Sequence, residues 1–132
     1  MAEETPAMKP VASFRARALL DWAMPTADDF RRIALSFPGT EERSHMGHPD
    51  FRVGGKIFAT LGHPNAEWGM AGLMPEQQED FIHLAPEAFK PAAGAWGRGG
   101  STLVNLALVS PDLLEAALAA AWRKRAPAKL QA

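Results

Sequence analysis

The chain has 132 residues, 47% of them hydrophobic, a formal net charge of -1 and no cysteine. That length fits one domain with a sizeable core, and the near-zero charge excludes a global field drawing the protein to nucleic acid or membrane, so any basic site must be local. The missing thiols exclude disulfides, thiol nucleophiles and thiolate metal sites, which suits the cytoplasm, and neither a secretory signal nor a membrane-length apolar run is visible.

Residues 1–25 mix acids, prolines and methionines, then carry a weak stripe of Phe14, Ala18 and Trp22. The expectation there is a flexible or loosely docked arm, followed by a domain over 26–127 and a tail over 128–132. Thr26 to Phe37 reads as a helix. Thr26 can cap it, Asp28 and Asp29 complement its dipole, and Phe30, Ile33, Ala34 and Phe37 form one apolar stripe. Pro38-Gly39 ends it.

Glu41–Met46 is expected to add a strand. Phe51 and Val53 alternate with Arg52, and Gly54-Gly55 is a two-residue hairpin signal before the return strand of Ile57, Ala59 and Leu61. The run EWGMAGL from Glu67 predicts a further strand. Pro75 opens a second helix, PEQQEDFIHLA, whose surroundings from Glu76 to Glu87 carry acids and no Lys or Arg, a poor surface for phosphate. The glycine-rich stretch from Lys90 to Gly100 reads as a loop, and Thr102 to Val109 as the last strand. Ser110-Pro111-Asp112 starts a final Ala-rich helix, with Leu114, Leu118 and Ala121 striped and Arg123, Lys124 and Arg125 at its end. The order predicts an α+β fold: an antiparallel sheet of about five strands with the N- and C-terminal helices packed on one face.

Four segments in this order, DDFRRIALSFPGTEE, FRVGGKIFATL, MPEQQEDF and FKPAAGAWGRGGSTLVNLAL before the Ala-rich helix, resemble the MmcQ/YjbR family over about residues 26–125. The resemblance implies a fold likened to bacterial frataxin and a DNA-binding role. It carries nothing onto the arm before Thr26, and frataxin's acidic iron surface has no counterpart, because Asp28 and Asp29 are mixed with Arg31 and Arg32.

For DNA, the candidate contacts are Arg52 and Lys56 flanking the hairpin turn, and Lys90, Trp96 and Arg98 in the glycine-rich loop. Trp96 either stacks on an unpaired base or packs back onto the sheet, while Trp68 and Trp122 are expected in the core. The alternative is a protein- or small-ligand-binding module using a glycine-lined recess near Trp68 and Trp96. His45 and His48 lie on opposite faces of an extended chain, though a turn at Gly47 could bring them together with Asp50 or Glu41; no metal or other cofactor is expected. Nor is an enzyme expected. Ser44-His45 and Ser101 lack a visible base and orienter, and GRGGS lacks the Lys and helix of a P-loop.

Overall fold

The computed structural model describes residues 24–131. The arm expected over residues 1–25 therefore lies, apart from Met24 and Pro25, outside the described residues. Helix α1 (Ala27–Ser36) begins at Thr26, whose hydroxyl accepts from the Asp29 N–H at 3.2 Å while the Asp29 carboxylate accepts from the Thr26 N–H at 2.9 Å. This reciprocal cap satisfies two amides that have no partner inside the helix.

Strands β1 (Thr40–His45), β2 (His48–Val53), β3 (Lys56–Leu61) and β4 (Trp68–Gly72) follow. Then come α2 (Pro75–Leu84), β5 (Phe89–Pro91), the short α3 (Gly94–Arg98), β6 (Ser101–Asn105) and α4 (Pro111–Arg125). The sheet order is β1-β2-β3-β4-β6-β5 with every neighbouring pair antiparallel. The β2–β3 turn is Gly54-Gly55, with φ of 60° and 79°, the left-handed pair that a two-residue hairpin requires.

The sixth strand, β5, and helix α3 both form inside the stretch expected as a loop. Three residues are too few to show alternation, and Gly94 and Gly97 disfavour a helix. A tertiary contact decides it: the buried Gln78 side-chain amide on α2 donates to the carbonyls of Gly97 and Ser101, each at 3.0 Å. Met74 caps α2 with no side-chain hydroxyl; instead its N–H donates to Gln77 Oε1 at 3.0 Å.

Helices α1, α2 and α4 pack on one face of the sheet, α4 across β3 and β4, α1 against β1, and α2 against β5. Phe30, Phe51, Phe58, Phe89, Leu114 and Leu118 are fully buried between the layers. A bulge in β3 opposite Phe51 and Arg52 accounts for two consecutive buried residues, Phe58 and Ala59. Phe37 stacks on Trp122 at 5.9 Å between ring centroids and meets Phe58 edge-on at 6.5 Å, and the Trp122 indole N–H donates to the Pro38 carbonyl at 3.0 Å.

The Phe30 ring lies directly on Gly69 of β4, where an added Cβ would stand 2.6 Å from the ring. Gly69→Ala is therefore expected to cost about 1–3 kcal/mol through overpacking. Urea unfolding checks this, and an unchanged midpoint would mean that the helix layer does not seat through Phe30.

Candidate functional site

Alternation along the strands leaves a second face that the described helices do not cover. The register builds it in rows. Glu41 lies opposite Arg52, Arg43 opposite Asp50 and His45 opposite His48 on β1–β2. Asp50 faces Thr60, Thr60 faces Met70, and Met70 faces Leu103, which faces Lys90 at the far edge.

The β4–β6–β5 half is apolar at its centre. Trp68 and Met70 are half-buried, and Leu103 is buried yet belongs to no part of the helix-side core. From β5, Lys90 reaches across so that its Nζ stands 4.9 Å from the centre of the Trp68 ring, a cation–π contact.

The β1–β2 half is polar and centres on Asp50, which has no exposed surface. Arg52 donates from Nε to Asp50 Oδ1 at 2.8 Å and from Nη2 to Oδ2 at 3.1 Å, and His45 Nδ1 lies 2.7 Å from that same Oδ2. The Arg52 hydrogen bonds hold the Asp50 carboxyl below its ordinary range against the opposing effect of burial, with His45 adding to them. The turn at Met46 and Gly47, with φ of 51° and 81°, folds β1 back on β2 and brings the two histidines into register on one face. His48 packs over Gly62 and stands edge-on to His63 at 6.0 Å.

The expected DNA contacts are not gathered on one ribbon. Arg52 and Lys90 share the open face but are separated by four strand spacings, about 19 Å. Lys56 pairs with the core residue Val53, so the register turns it to the helix-bearing side. Arg98 closes α3, outside the strands. Trp96 is 79% exposed and does not anchor the sheet. Trp68, expected in the core, sits on the open face, whereas Trp122 is a core residue.

Other cations are also committed elsewhere. Arg31 bridges Asp28 and Glu42 at 2.9 and 2.8 Å, and Arg32 holds Asp29 at 3.0 Å. Lys124 turns inward to donate to the Leu73 carbonyl at 3.0 Å, and burial, helped by Arg125, pulls its pKa down.

A depression of about 220 Å³ at the strand ends, lined by Met24, Pro25, Ala66, Glu67 and Leu106 among others, presents one carboxylate and no cation. Among the described residues no group of three His, Asp or Glu side chains is placed to hold a metal ion, and no helix is long and apolar enough to cross a membrane.

A family model described as YjbR matches residues 35–124. The chain belongs to the YjbR family. The matched span takes in every residue of the open face just described. The crystal structure of the Deinococcus radiodurans protein DR2400, with a DUF419 domain, is similar, with a TM-score of 0.64 and 20% identity over 75% of this chain and 77% of that one. That likeness is one of fold. No curated protein matches the chain.

The turn at Gly47 does bring His45 to Asp50, as the sequence allowed, but sequence reasoning missed Arg52 as the second partner of that carboxylate in this YjbR domain. The readable signal was the strand HPDFRV, where Asp50 and Arg52 alternate with the apolar Phe51 and Val53. Asp50→Asn is expected to lower stability at pH 7 by about 1–3 kcal/mol, since the hydrogen-bonded anion is lost while Arg52 and His45 keep contact with solvent. Because the folded-state pKa of Asp50 is depressed below 3.8, its contribution is present above that value and is lost as pH falls through the folded pKa. Urea unfolding of both proteins at pH 7 and pH 3 should accordingly show the gap narrowing at the lower pH.

Proposed function

We propose that this YjbR domain is a non-catalytic nucleic-acid-binding protein, and that its ligand is a single strand laid on the open sheet face rather than a duplex. The observation that carries this reading is Trp68 on that face with the Lys90 amine 4.9 Å above its ring. An unpaired base stacks on such a ring, and the displaced amine is then free to meet the adjoining phosphate. Met70 and Leu103 extend the apolar floor beside it. A flat open sheet with aromatic contacts suits splayed bases, whose π-faces are hidden within a duplex.

Charge favours the single strand as well. Among the described residues the open face carries Arg43, Arg52 and Lys90 against Glu41 and Asp50, an excess of one positive charge with neutral histidines. That is too little for a duplex binder, which needs several cations along the phosphates. Two bases on this floor at about 1–3 kcal/mol each give about 2–6 kcal/mol, a dissociation constant of about 40 μM at the strongest and tens of millimolar at the weakest before phosphate contacts are added. Ser44 and His45 are consecutive on β1 and point to opposite faces, so His45 is not placed as a base for Ser44.

The rival, a protein- or small-ligand-binding module on the same face, is favoured by the apolar Met70–Leu103 floor. Titrating an oligothymidylate and a duplex of equal length across salt concentrations separates the two. The single-strand reading expects tighter binding of the oligothymidylate, a log–log salt slope of about -1 to -2, and roughly tenfold weaker binding in Trp68→Ala. No binding at low salt, or binding indifferent to Trp68, overturns it and leaves the rival.

A further inference from the structure

The polar half of the open face holds a feature that strand stacking leaves unused. Asp50 is a carboxylate with no exposed surface on a face that the described helices leave uncovered. Burying a charge is costly unless it is paired and hydrogen-bonded, and both its oxygens are already engaged. It is thus unavailable to any ligand, but it fixes two groups that are. Arg52 and His45 converge on the one Oδ2 atom through Nη2 and Nδ1. Their other nitrogens, Nη1 of Arg52 and Nε2 of His45, are left outside that carboxylate. Arg43 lies across the strand pair from Asp50, and His48 across from His45. Thus two guanidinium groups and two imidazoles crowd one hairpin, with Glu41, opposite Arg52, as the remaining carboxylate on that part of the face.

We propose that this corner is a binding site for a phosphate monoester, such as the phosphorylated end of a strand whose bases lie on the Trp68 half. A dianionic terminal phosphate presents three acceptor oxygens at one place, and it suits a cluster of donors. The singly charged phosphates along a backbone suit spaced cations instead. The planar Arg52 fork, held rigid by its bidentate contact with Asp50, can give its outer edge to two of those oxygens. His45, oriented by the same carboxylate, gives Nε2 to the third when that nitrogen carries a proton. Glu41 opposes the ligand by repulsion. As the end of a strand, the phosphate rests on the single-strand reading; as a free monoester it stands without that reading.

The test compares oligothymidylates carrying a phosphate at the 5′ end, at the 3′ end or at neither end, with phenyl phosphate and inorganic phosphate as competitors and direct ligands. The inference expects one phosphorylated end to bind at least about fivefold tighter than the unphosphorylated strand. It expects that preference to disappear in Arg52→Lys, which keeps the charge but loses the fork, and to fall in His45→Gln. Glu41→Gln, a substitution on the exposed surface, is expected to tighten phosphate binding about two- to fivefold by removing a like charge. That gain is one a purely structural role for the cluster would not give, and thermal melts of each variant identify any that fail to fold. If the unphosphorylated strand binds as well as the phosphorylated ones, the inference fails and the strand reading stands. Should no strand bind while phenyl phosphate binds in a manner that depends on Arg52, the strand reading fails and the phosphate site stands. With no phosphate ligand bound at about 10 mM, or with binding unmoved by both Arg52→Lys and Glu41→Gln, the site does not exist.

Discussion

Alternation along β2 sets the molecule's two sides. Phe51 and Val53 enter the helix-side core, while Asp50 and Arg52 face outward from the same strand. A shift of one residue would bury the arginine and expose the phenylalanine, so the core and the outward cluster are fixed by one register. The bulge at Phe58 and Ala59 lets β3 satisfy both demands. It sends two consecutive apolar residues into the core and still leaves Thr60 opposite Asp50. The helices then close one face, with Phe30 on Gly69 and Trp122 tied to Pro38, and the described helices leave the other uncovered.

Much of the scaffold was legible because it is local. The capping of α1 at Thr26, the stop at Pro38-Gly39, the Gly54-Gly55 turn and the Ser110-Pro111 start are short-range signals, and each stands where the residues place it. The stretch around Lys90 to Gly100 was less legible because its structure is imposed from elsewhere. Strand β5 exists because it pairs with β6, and α3 is held by Gln78 across nineteen residues of sequence. Glycine-rich composition reports permissiveness and says nothing of what a distant side chain makes of it.

Apart from the Gly47 turn that joins His45, His48 and Asp50, the candidate site was legible as residue types. Arg52 and Lys90 lie on the face that the described helices leave uncovered, but proximity to a turn cannot tell Arg52 from Lys56, whose register sends it to the opposite side. The three tryptophans in the described residues divide by partner. Trp122 finds a carbonyl and a stacked ring, Trp68 finds a lysine, and Trp96 keeps most of its surface in solvent. Those outcomes depend on which strand is the neighbour, and a linear reading of a Trp beside a Gly carries no such information.

Composition sets the near-neutral net charge, and pairing then holds several of the cations against groups of the protein itself. Arg31, Arg32 and Arg52 each stand against a carboxylate, and Lys124 spends its amine on a backbone carbonyl. Exposed pairs of this kind add little stability, and on α1 they serve mainly to seat the helix against Glu42 of β1. The Asp50 pair differs in burial. Replacing such a pair with well-packed apolar residues is often neutral or stabilising, and the helix-bearing side of β2 has apolar residues at just such positions. A purely architectural strand would have no need of Asp50 facing outward under two donors. Asp50 contributes stability through those donors, and the orientation it imposes on Arg52 and His45 is what a ligand at that corner would use.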